Sequence, residues 1–335
     1  MYVDNPIACV DYASLYPSIM ISQNYSHDSK VWTKTYDLNG VLILETGNSV
    51  YDNLTDYTYL DTEFDVYEYK KIGKSQKVVK TKTSTKTCRW AQLPDGKKSI
   101  MPCILKELLQ TRADTRKKIK ETSDPFIRNI LDKGQLGYKM TANSLYGQCG
   151  ARTSNFYDKD IAASTTSTGR SMIIYARDVI ESVYSNITYH SEEDGSVLCM
   201  AEYIYGDTDS VFFTFNLKDT DSKDIRGEKA SHVTIELAKE VARTCTMFLK
   251  CPMELSYEKT LMQFIILSKK RYAGMLYEND VLWPNCGLCG GSDGTGREGK
   301  RKAAVVPNRT YAGTRTAVQL CGSQWPPSLE KKRVY

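Results

Sequence analysis

The stretch Tyr203-Ile-Tyr-Gly-Asp-Thr-Asp-Ser-Val-Phe-Phe213 is the part of the sequence that decides the fold. Its apolar ends and polar centre predict two strands, Met200–Tyr205 and Ser210–Phe215, joined by a tight turn. Asp207 and Asp209 are two residues apart, so both side chains can leave the same face of a strand. A polar hairpin turn alone would account for the motif equally well. The apolar flanks favour central strands, however, and two repelling acids at the edge of a central sheet are costly unless a cation lies between them.

A third acid, Asp11, ends another predicted strand. The run Pro6–Val10 before it is apolar and partly β-branched, as in a buried strand. Hard divalent ions such as Mg²⁺ bind carboxylate oxygens and keep positions open for substrate phosphates. Two such ions, roughly 4 Å apart, could activate a 3′-hydroxyl and stabilise a leaving pyrophosphate. We therefore expect Asp11 to lie within roughly 10 Å of Asp209.

Two long helices with a short link are predicted between these acids. The first begins near Pro102, and the second begins at Ser123-Asp124-Pro125, an N-cap followed by proline, and continues to about Leu145. The short link favours an antiparallel helical hairpin. Polar side chains recur every four residues and so share one face of each helix: Arg112, Arg116 and Lys120, then Gln135, Lys139 and Asn143. A face of this kind could bind a triphosphate, although the spacing alone is more typical of a solvated charged surface.

The rest of the chain mixes strands and helices without strict alternation, which favours the α+β class over a doubly wound sheet. Residues 28–100 are rich in Tyr, Thr, Val and Lys and include Asn39-Gly40, so hairpins and loops are expected there. The remaining predicted elements are helices over Asp160–Tyr184 and Ser231–Leu249 and strands over Met253–Glu258 and Phe264–Leu267.

Composition restricts the class of protein less than the motifs do. The chain has 335 residues, of which 41% are hydrophobic, and a net charge of +5. No stretch approaches the roughly 20 apolar residues of a transmembrane helix. The N-terminus carries acids without a basic flank, so we expect no secretory signal, no membrane partner and an intracellular location. Cys286, Cys289 and Cys321 are too few ligands for a closed zinc site.

Four motifs follow one another along the chain: Asp11-Tyr-Ala-Ser-Leu-Tyr-Pro-Ser-Ile19, Lys139-Met-Thr-Ala-Asn-Ser-Leu-Tyr-Gly147, Tyr205-Gly-Asp-Thr-Asp-Ser210 and Lys269-Lys-Arg-Tyr272. In this order they resemble motif A, motif B, motif C and the KKRY motif of family B DNA polymerases. The residues in and around them look most like those of the polymerases of large nucleocytoplasmic DNA viruses and their eukaryotic relatives.

The resemblance implies a palm with a mixed or antiparallel sheet and flanking helices, into which fingers made of an antiparallel helical hairpin are inserted. We expect neither the exonuclease domain that usually precedes motif A nor the thumb that usually follows KKRY. By position, the palm would comprise residues 1–27 and 150–278, a strand- and loop-rich connecting region residues 28–101, the fingers residues 102–149, and a Gly- and Arg-rich tail, expected to be disordered, residues 279–335.

The resemblance also implies roles for individual residues. Asp11, Asp207 and Asp209 would be the catalytic acids and would hold metal together with the backbone of Tyr12. Glu258 would be an accessory acid or a surface ion pair. Tyr16 would lie under the incoming sugar and exclude a 2′-hydroxyl. The other residues implied to contact the nucleotide are Ser14 and Leu15 through backbone N–H groups, Arg112, Arg116 and Lys139 through its phosphates, and Asn143 and Tyr146 beside the base pair. Those implied to contact the primer–template are Thr208, Lys269, Lys270, Arg271 and Tyr272.

The implied activity is that of a DNA-directed DNA polymerase in replication, which joins a dNMP to a primer 3′-hydroxyl and releases pyrophosphate. The cofactors would be two Mg²⁺ ions, or Mn²⁺ in their place, and the substrates a DNA primer–template and a dNTP. A sliding clamp or other processivity factor is an expected partner of a full-length protein. Three alternatives stay open: a fragment with the fold but little activity, an RNA-templated polymerase, and a nucleic-acid-binding module without chemistry.

Overall fold

Twelve strands and five α-helices make up the part of the chain that the computed structural model describes, which is residue 2 and residues 4–72, 77–191, 195–277 and 302–304. The strands are β1 (Ile7–Tyr12), β2 (Lys30–Tyr36), β3 (Leu42–Gly47), β4 (Thr58–Ile72), β5 (Lys77–Gln92), β6 (Ser185–Ser191), β7 (Gly195–Met200), β8 (Glu202–Asp207), β9 (Ser210–Thr214), β10 (Leu255–Ser268), β11 (Arg271–Tyr277) and β12 (Lys302–Ala304). The helices are α1 (Leu15–Gln23), α2 (Ile100–Glu121), α3 (Pro125–Gly150), α4 (Lys159–Val183) and α5 (Gly227–Met247).

A six-stranded antiparallel sheet contains the strands that bear the acids. Its order is β12-β11-β10-β1-β9-β8, so β1 lies in the middle between β10 and β9. Residues Ile7 to Val10 are fully buried, because neighbouring structure covers both faces of this strand. The continuous apolar run predicted such a buried strand, and the prediction is confirmed. The α+β class is confirmed as well.

The two faces of this sheet are covered differently. On one face, α4 and α5 contact the strands, and Ala8 and Val10 of β1 join the main core there. On the other face, a smaller cluster forms around Phe212, which stacks on Phe264 with ring centroids 5.6 Å apart. Tyr272 packs edge-on against Phe212 at 5.0 Å. Burying an aromatic side chain contributes about 1.5–3 kcal/mol, so both faces stabilise the central strands.

Residues 28–100 form a second antiparallel sheet, in the order β3-β2-β5-β4. The predicted turn at Asn39-Gly40 joins β2 to β3: the Asp37 carboxylate accepts hydrogen bonds from the N–H groups of Asn39 and Val41, each at 2.8 Å, and Gly40 has a φ of 83°. Glycine adopts this left-handed conformation without a steric cost. The hairpins expected in this region are therefore confirmed.

Helices α2 and α3 pack as an antiparallel hairpin. Asp124 is the N-cap of α3, as predicted, and its side chain accepts a hydrogen bond from the N–H of Phe126 at 2.8 Å. The start of α2 contacts the end of α3, where the sulfur atoms of Met101 and Cys149 are 4.0 Å apart. Capping of this kind stabilises a helix by about 1 kcal/mol.

Several element boundaries differ from the sequence predictions. Helix α3 continues to Gly150, beyond the predicted end at Leu145, because its last turn is buried at Cys149. The strands predicted over Met253–Glu258 and Phe264–Leu267 are one strand, β10, which pairs with β1 along one part and β11 along another. Helix α1, strands β6 and β7, and strands β11 and β12 were not predicted from the sequence.

The expectations for residues 279–335, including Cys286, Cys289 and Cys321, lie outside the described residues except at 302–304. Among the helices of the described ranges, none has the length and apolar character needed to cross a bilayer.

Candidate active site

Asp11 and Asp209 lie side by side where the central strands β1 and β9 of the six-stranded sheet meet at their ends. In the ladder between β1 and β9, Asp11 is opposite Ser210, whose hydroxyl donates to Asp11 Oδ1 at 2.8 Å. The N–H of Tyr12 donates to the carbonyl of Asp209 at 3.0 Å. Residues opposite each other in such a ladder have Cβ atoms about 4.5–5.5 Å apart. Asp209 directly precedes Ser210, so the structure brings together two acids that are far apart in sequence.

Burial and mutual repulsion disfavour the charged forms of these two acids. Burial, followed by repulsion from Asp11, raises the pKa of Asp209 to about 6. Burial also raises the pKa of Asp11, although the hydrogen bond from Ser210 and the positive charges of Lys259 and Lys139 oppose that rise. Two carboxylates with raised pKa values in one cleft are typical of functional sites. A bound cation would relieve their repulsion.

The carboxylate oxygens of Asp11 and Asp209 fit Mg²⁺ as ligands. Within the described residues, no three His, Cys, Asp or Glu side chains converge in the way a complete protein ligand set would. Mg²⁺ is usually held by only one or two carboxylates together with waters and substrate phosphates. Asp11 and Asp209 supply two such carboxylates, and both present oxygen atoms only. The residues present therefore match this class of ion better than one that prefers nitrogen and sulfur ligands.

Asp207 has different surroundings from the other two acids. Its Oδ1 lies 3.0 Å from Lys270 Nζ, which also donates to the hydroxyl of Thr208 at 3.0 Å. The backbone N–H of Lys270 donates to the hydroxyl of Tyr205 at 2.9 Å. The turn between β10 and β11, which contains Lys269 and Lys270, is thus fixed against the turn between β8 and β9. Two of the motifs recognised in the sequence meet at this contact.

Glu258 lies at an irregularity in the pairing of β1 with β10. Cys9 is opposite Lys259 and Val10 is opposite Tyr257, so Glu258 is the extra residue of a β-bulge. Its carboxylate accepts a hydrogen bond from Cys9 Sγ at 3.3 Å and lies 3.1 Å from Lys259 Nζ. Its charge raises the pKa values of both Asp11 and Asp209, after larger effects of burial. The residue forms an ion pair with Lys259, as one of the two readings from the sequence expected, and its role as an accessory acid stays a prediction.

Tyr16 lies close to the acids and packs against the helical hairpin. Its ring stacks on that of Tyr146 in α3, with centroids 4.3 Å apart and an interplanar angle of 23°. Burial raises the pKa of Tyr16, and the negative charge of Asp209 raises it further. The stack joins motif A to motif B, and it places an aromatic surface beside the two acids.

The cations of the helical hairpin are partly brought together. Arg112 Nε donates to Gln135 Oε1 of the facing helix at 3.2 Å. Burial lowers the pKa of Arg112, and repulsion from Arg116 lowers it further, so these two guanidinium groups are close. Lys139 is exposed, and its charge lies near enough to Asp11 to oppose part of the rise in the pKa of that acid. The hairpin therefore directs positive charge toward the aspartates.

The other residues implied by the resemblance differ in their surroundings. Ser14 has a left-handed backbone, with a φ of 50°, and precedes α1, whose first N–H groups lack partners within the helix. A helix N-terminus of this kind suits a phosphate. Asn143, Lys269 and Arg271 are exposed, and Tyr272 is half-buried in the aromatic cluster on the outer face of the sheet.

Two residues of the site were not found by sequence reasoning. Lys259 has a mostly buried ammonium group between Glu258 and the ring of Tyr272, whose centroid is 5.9 Å away. Tyr205 positions the Lys270 turn through its hydroxyl. The adjacent Glu-Lys pair in an apolar strand was a usable signal for Lys259, because a lysine is rarely buried without a partner.

Comparison with known proteins agrees with this geometry. The family described as DNA polymerase family B matches residues 1–288. The chain is 51% identical over 272 residues to a DNA polymerase of Phaeocystis pouchetii virus, covering 79% of this chain and 26% of that protein. It is 37% identical to a DNA polymerase of Pyramimonas orientalis virus, covering 84% of this chain and 24% of that protein. It is 31% identical to the DNA polymerase delta catalytic subunit of Oryza sativa subsp. japonica, covering 83% of this chain and 20% of that protein.

The chain thus spans about a quarter or less of the length of these relatives. The family match nevertheless covers most of the chain, and it includes all four motifs and both aspartates at the sheet edge. The chain belongs to family B of the DNA polymerases.

Proposed function

We propose that this chain carries the nucleotidyl-transfer centre of a DNA-directed DNA polymerase that acts in replication. The observation that carries the proposal is the pairing of β1 with β9, which holds Asp11 beside Asp209 below the cationic hairpin. In the proposed reaction, a primer 3′-oxygen attacks the α-phosphate of a dNTP and pyrophosphate leaves. Phosphoryl transfer of this kind depends on positioning and on neutralising charge.

Asp11 and Asp209 would hold the divalent ions, assisted by the backbone of Tyr12 and by Asp207. Members of this family generally depend on divalent metal ions, and we propose two Mg²⁺ ions, for which Mn²⁺ can substitute. When bound, such ions stabilise the charge of the attacking and leaving oxygens. The protein contributes a fixed spacing: the backbone hydrogen bond from Tyr12 to Asp209 and the side-chain hydrogen bond from Ser210 to Asp11 oppose a movement of the two carboxylates away from each other.

The hairpin and the start of α1 would bind the nucleotide. Arg112, Arg116 and Lys139 would neutralise the β- and γ-phosphates, and the N–H groups at Ser14 and Leu15 would donate to them. The stacked pair of Tyr16 and Tyr146 would form the floor beside the sugar and the base pair, with Asn143 next to it. A rigid aromatic floor leaves no room for a 2′-hydroxyl, which would select dNTP over rNTP.

The joined turns would hold the primer terminus. Lys270 is oriented by Asp207, Thr208 and Tyr205, so its ammonium group is pre-positioned beside the acids. Lys269, Arg271 and Tyr272 would complete the contact with the primer–template. Contacts of this type bind the sugar-phosphate backbone of DNA and carry no sequence preference. In this assignment, residues 102–149 act as fingers and residues 1–27 with 150–278 act as palm.

The partners proposed for the whole protein follow from its relatives. A DNA primer–template and a dNTP are the substrates that the family implies. One relative is a catalytic subunit of DNA polymerase delta, which supports a sliding clamp or other processivity factor as a further partner. We propose an intracellular location, which the free cysteines of the described residues support.

Replacing Asp209 tests the proposal. We expect Asp209→Asn to lower primer extension with Mg²⁺ by at least a thousandfold, because a metal-binding charge is lost, while binding of the primer–template persists. Asp221→Asn, at an exposed acid, is the matched control and should retain full activity. Primer extension on DNA and on RNA templates separates the proposed activity from an RNA-templated one. Activity of Asp209→Asn within tenfold of wild type would contradict the metal assignment.

A further inference from the structure

A glycine of α4 lies against the ring of Tyr16. Gly169 is buried, and a Cβ atom at this position would lie 3.4 Å from Tyr16 Cε1, 3.5 Å from Leu15 Cδ2 and 3.5 Å from Ile19 Cδ1. A single methyl group therefore fits at contact distance. A further carbon would extend about 1.5 Å beyond it, into side chains of α1 that are already close-packed.

The Tyr16 ring has a second neighbour. Tyr146 stacks on it at 4.3 Å, so the ring contacts both α4 and α3. A side chain that pushed the ring away from α4 would therefore move it, within the limits set by Tyr146, toward the position proposed for the nucleotide sugar. The ring cannot yield toward α1, since Leu15 and Ile19 are buried there.

The backbone gives no reason for a glycine at this position. Gly169 lies inside α4, where a glycine is less favourable than an alanine. A glycine inside a helix usually reflects close packing or a function. The close approach of Tyr16 supplies such a reason.

We infer that Gly169 is a positioning residue that sets the depth of the Tyr16 ring and thereby the discrimination between deoxyribonucleoside and ribonucleoside triphosphates. This inference rests on the proposed function, because Tyr16 contacts the sugar only if the nucleotide binds where we propose. The size of residue 169 then controls how much space remains for a 2′-substituent, although residue 169 does not touch the nucleotide itself.

Side-chain size at position 169 provides the test. The variants are Gly169→Ala and Gly169→Val, with Gly134→Val as control at an exposed glycine of α3 that has no atom within 4 Å of its Cβ position. The measurements are kcat/KM for dATP and ATP in single-nucleotide primer extension and the equilibrium binding of both nucleotides. A displacement of about 1 Å can cost a hundredfold in rate. We expect Gly169→Ala and Gly134→Val to stay within about twofold of wild type, and Gly169→Val to lower the ATP-to-dATP ratio at least about tenfold.

A double variant distinguishes failure of this inference from failure of the proposed function. Tyr16→Ala alone should raise the ATP-to-dATP ratio, and adding Gly169→Val should then leave that ratio unchanged. A ratio that stays constant or rises in folded Gly169→Val, when Tyr16→Ala does raise it, overturns the inference alone. An unchanged ratio in Tyr16→Ala, or a wild-type chain that neither binds nor incorporates either nucleotide, overturns the proposed function and the inference with it. If Gly169→Val does not fold by circular dichroism, Gly169→Ser takes its place, with a smaller change in the same direction.

Discussion

The three acids of the site differ in how their charges are compensated. Lys270 lies 3.0 Å from Asp207, whereas burial and repulsion from Asp11 act on Asp209 and raise its pKa to about 6. The protein itself therefore balances the charge of Asp207, and a bound cation would mainly compensate the other two acids. At the residue scale, this difference supports the proposal that Lys270, oriented by Asp207, holds the primer terminus.

Removing the Lys270 ammonium group should weaken primer binding selectively. We expect Lys270→Ala to raise the KM for primer–template by about tenfold, since a charge-assisted contact contributes about 1.5–3 kcal/mol, and to leave the KM for dNTP nearly unchanged. The neighbouring exposed Lys269, which is also assigned to the primer–template, provides the comparison: Lys269→Ala should have a smaller effect, because Lys269 lacks the three contacts that orient Lys270. Steady-state extension with varied primer–template measures both. An equal effect of Lys269→Ala would show that only the net charge of the turn matters.

The guanidinium group of Arg112 should matter for nucleotide binding rather than for primer binding. It is oriented by Gln135 and lies near Arg116, so two like charges share a small region that a triphosphate would neutralise. We expect Arg112→Ala to raise the KM for dNTP by at least about tenfold. Arg128→Ala, at an exposed arginine of α3, should have little effect in the same assay. Unchanged nucleotide affinity in Arg112→Ala would exclude the proposed role.

Sequence reasoning found the acids and cations of the site but not their supporting contacts. Asp11 and Asp209 were named as candidates because acids beside apolar strands are visible in one dimension, and Lys270 because its motif resembles KKRY of the family. The bulge at Glu258 and the burial of Lys259 were not visible, because they depend on which strand lies beside β10. A register irregularity is a property of the pair of strands rather than of either sequence alone.

At the scale of elements, a set of ion pairs fixes α4 against the second sheet. Asp160, in the first turn of α4, lies 2.7 Å from Lys86 Nζ and 3.7 Å from Lys30 Nζ, and it accepts a hydrogen bond from Thr33 at 3.2 Å. Lys30 also pairs with Asp158, the N-cap of the same helix. Burial alone would raise the pKa of Asp160, but the lysines outweigh it and lower that pKa. Because α4 also carries Gly169, this contact helps to hold the floor of the site.

Loss of the Asp160 charge should therefore destabilise the protein in a pH-dependent way. We expect Asp160→Asn to lower the free energy of unfolding by about 1–3 kcal/mol at pH 7, since two partly buried lysines lose a partner. A lowered pKa in the folded state means that this stabilisation is present above the unfolded value of about 4 and is lost as the pH falls below it. Urea titrations at pH 7 and pH 3.5 measure the change.

The control is Asp178→Asn, at an exposed ion pair, which should change the free energy of unfolding by less than about 0.5 kcal/mol. An equal loss of stability in Asp160→Asn at both pH values would contradict the electrostatic explanation.

The elements that the sequence predicted well are those with strong local signals. The Asp124-Pro125 cap and the apolar strand before Asp11 are examples, because capping and burial act within a few residues. Helix α1 was missed because Ser14 begins it with a left-handed backbone and Pro17 lies within it. Strand β10 was divided because its regular alternation is interrupted twice: Glu258 is an extra residue opposite β1, and Gln263, with a φ of 54°, lies at a register shift opposite β11. In both cases, tertiary contacts determine the local structure.

At the scale of the whole molecule, the paired carboxylates of the site lower the stability of the fold. The six-stranded sheet holds Asp11 and Asp209 together through a ladder whose partners are 199 residues apart in sequence, although the two charges repel each other. The cores on both faces of the sheet supply the compensating burial. Functional sites commonly reduce stability in this way. The sequence could not show this opposition, because it arises only when the strands pair.

Binding of divalent ions and removal of the Asp209 charge should therefore each raise the stability of the protein. Without divalent ions at pH 7.5, we expect Asp209→Asn to be more stable than wild type by about 1–2 kcal/mol after solvent screening, which corresponds to roughly 1–3 °C in Tm for a chain of 335 residues. Mg²⁺ should raise the Tm of wild type, since a ligand that binds only the folded state stabilises it, and should raise that of Asp209→Asn much less. Differential scanning fluorimetry with Mg²⁺ and with EDTA measures both effects without requiring activity, and Asp221→Asn provides the control because its exposed carboxylate lies outside the sheet. An equal response of wild type and Asp209→Asn to Mg²⁺ would place the ion elsewhere, and a less stable Asp209→Asn would show that the two carboxylates do not oppose folding.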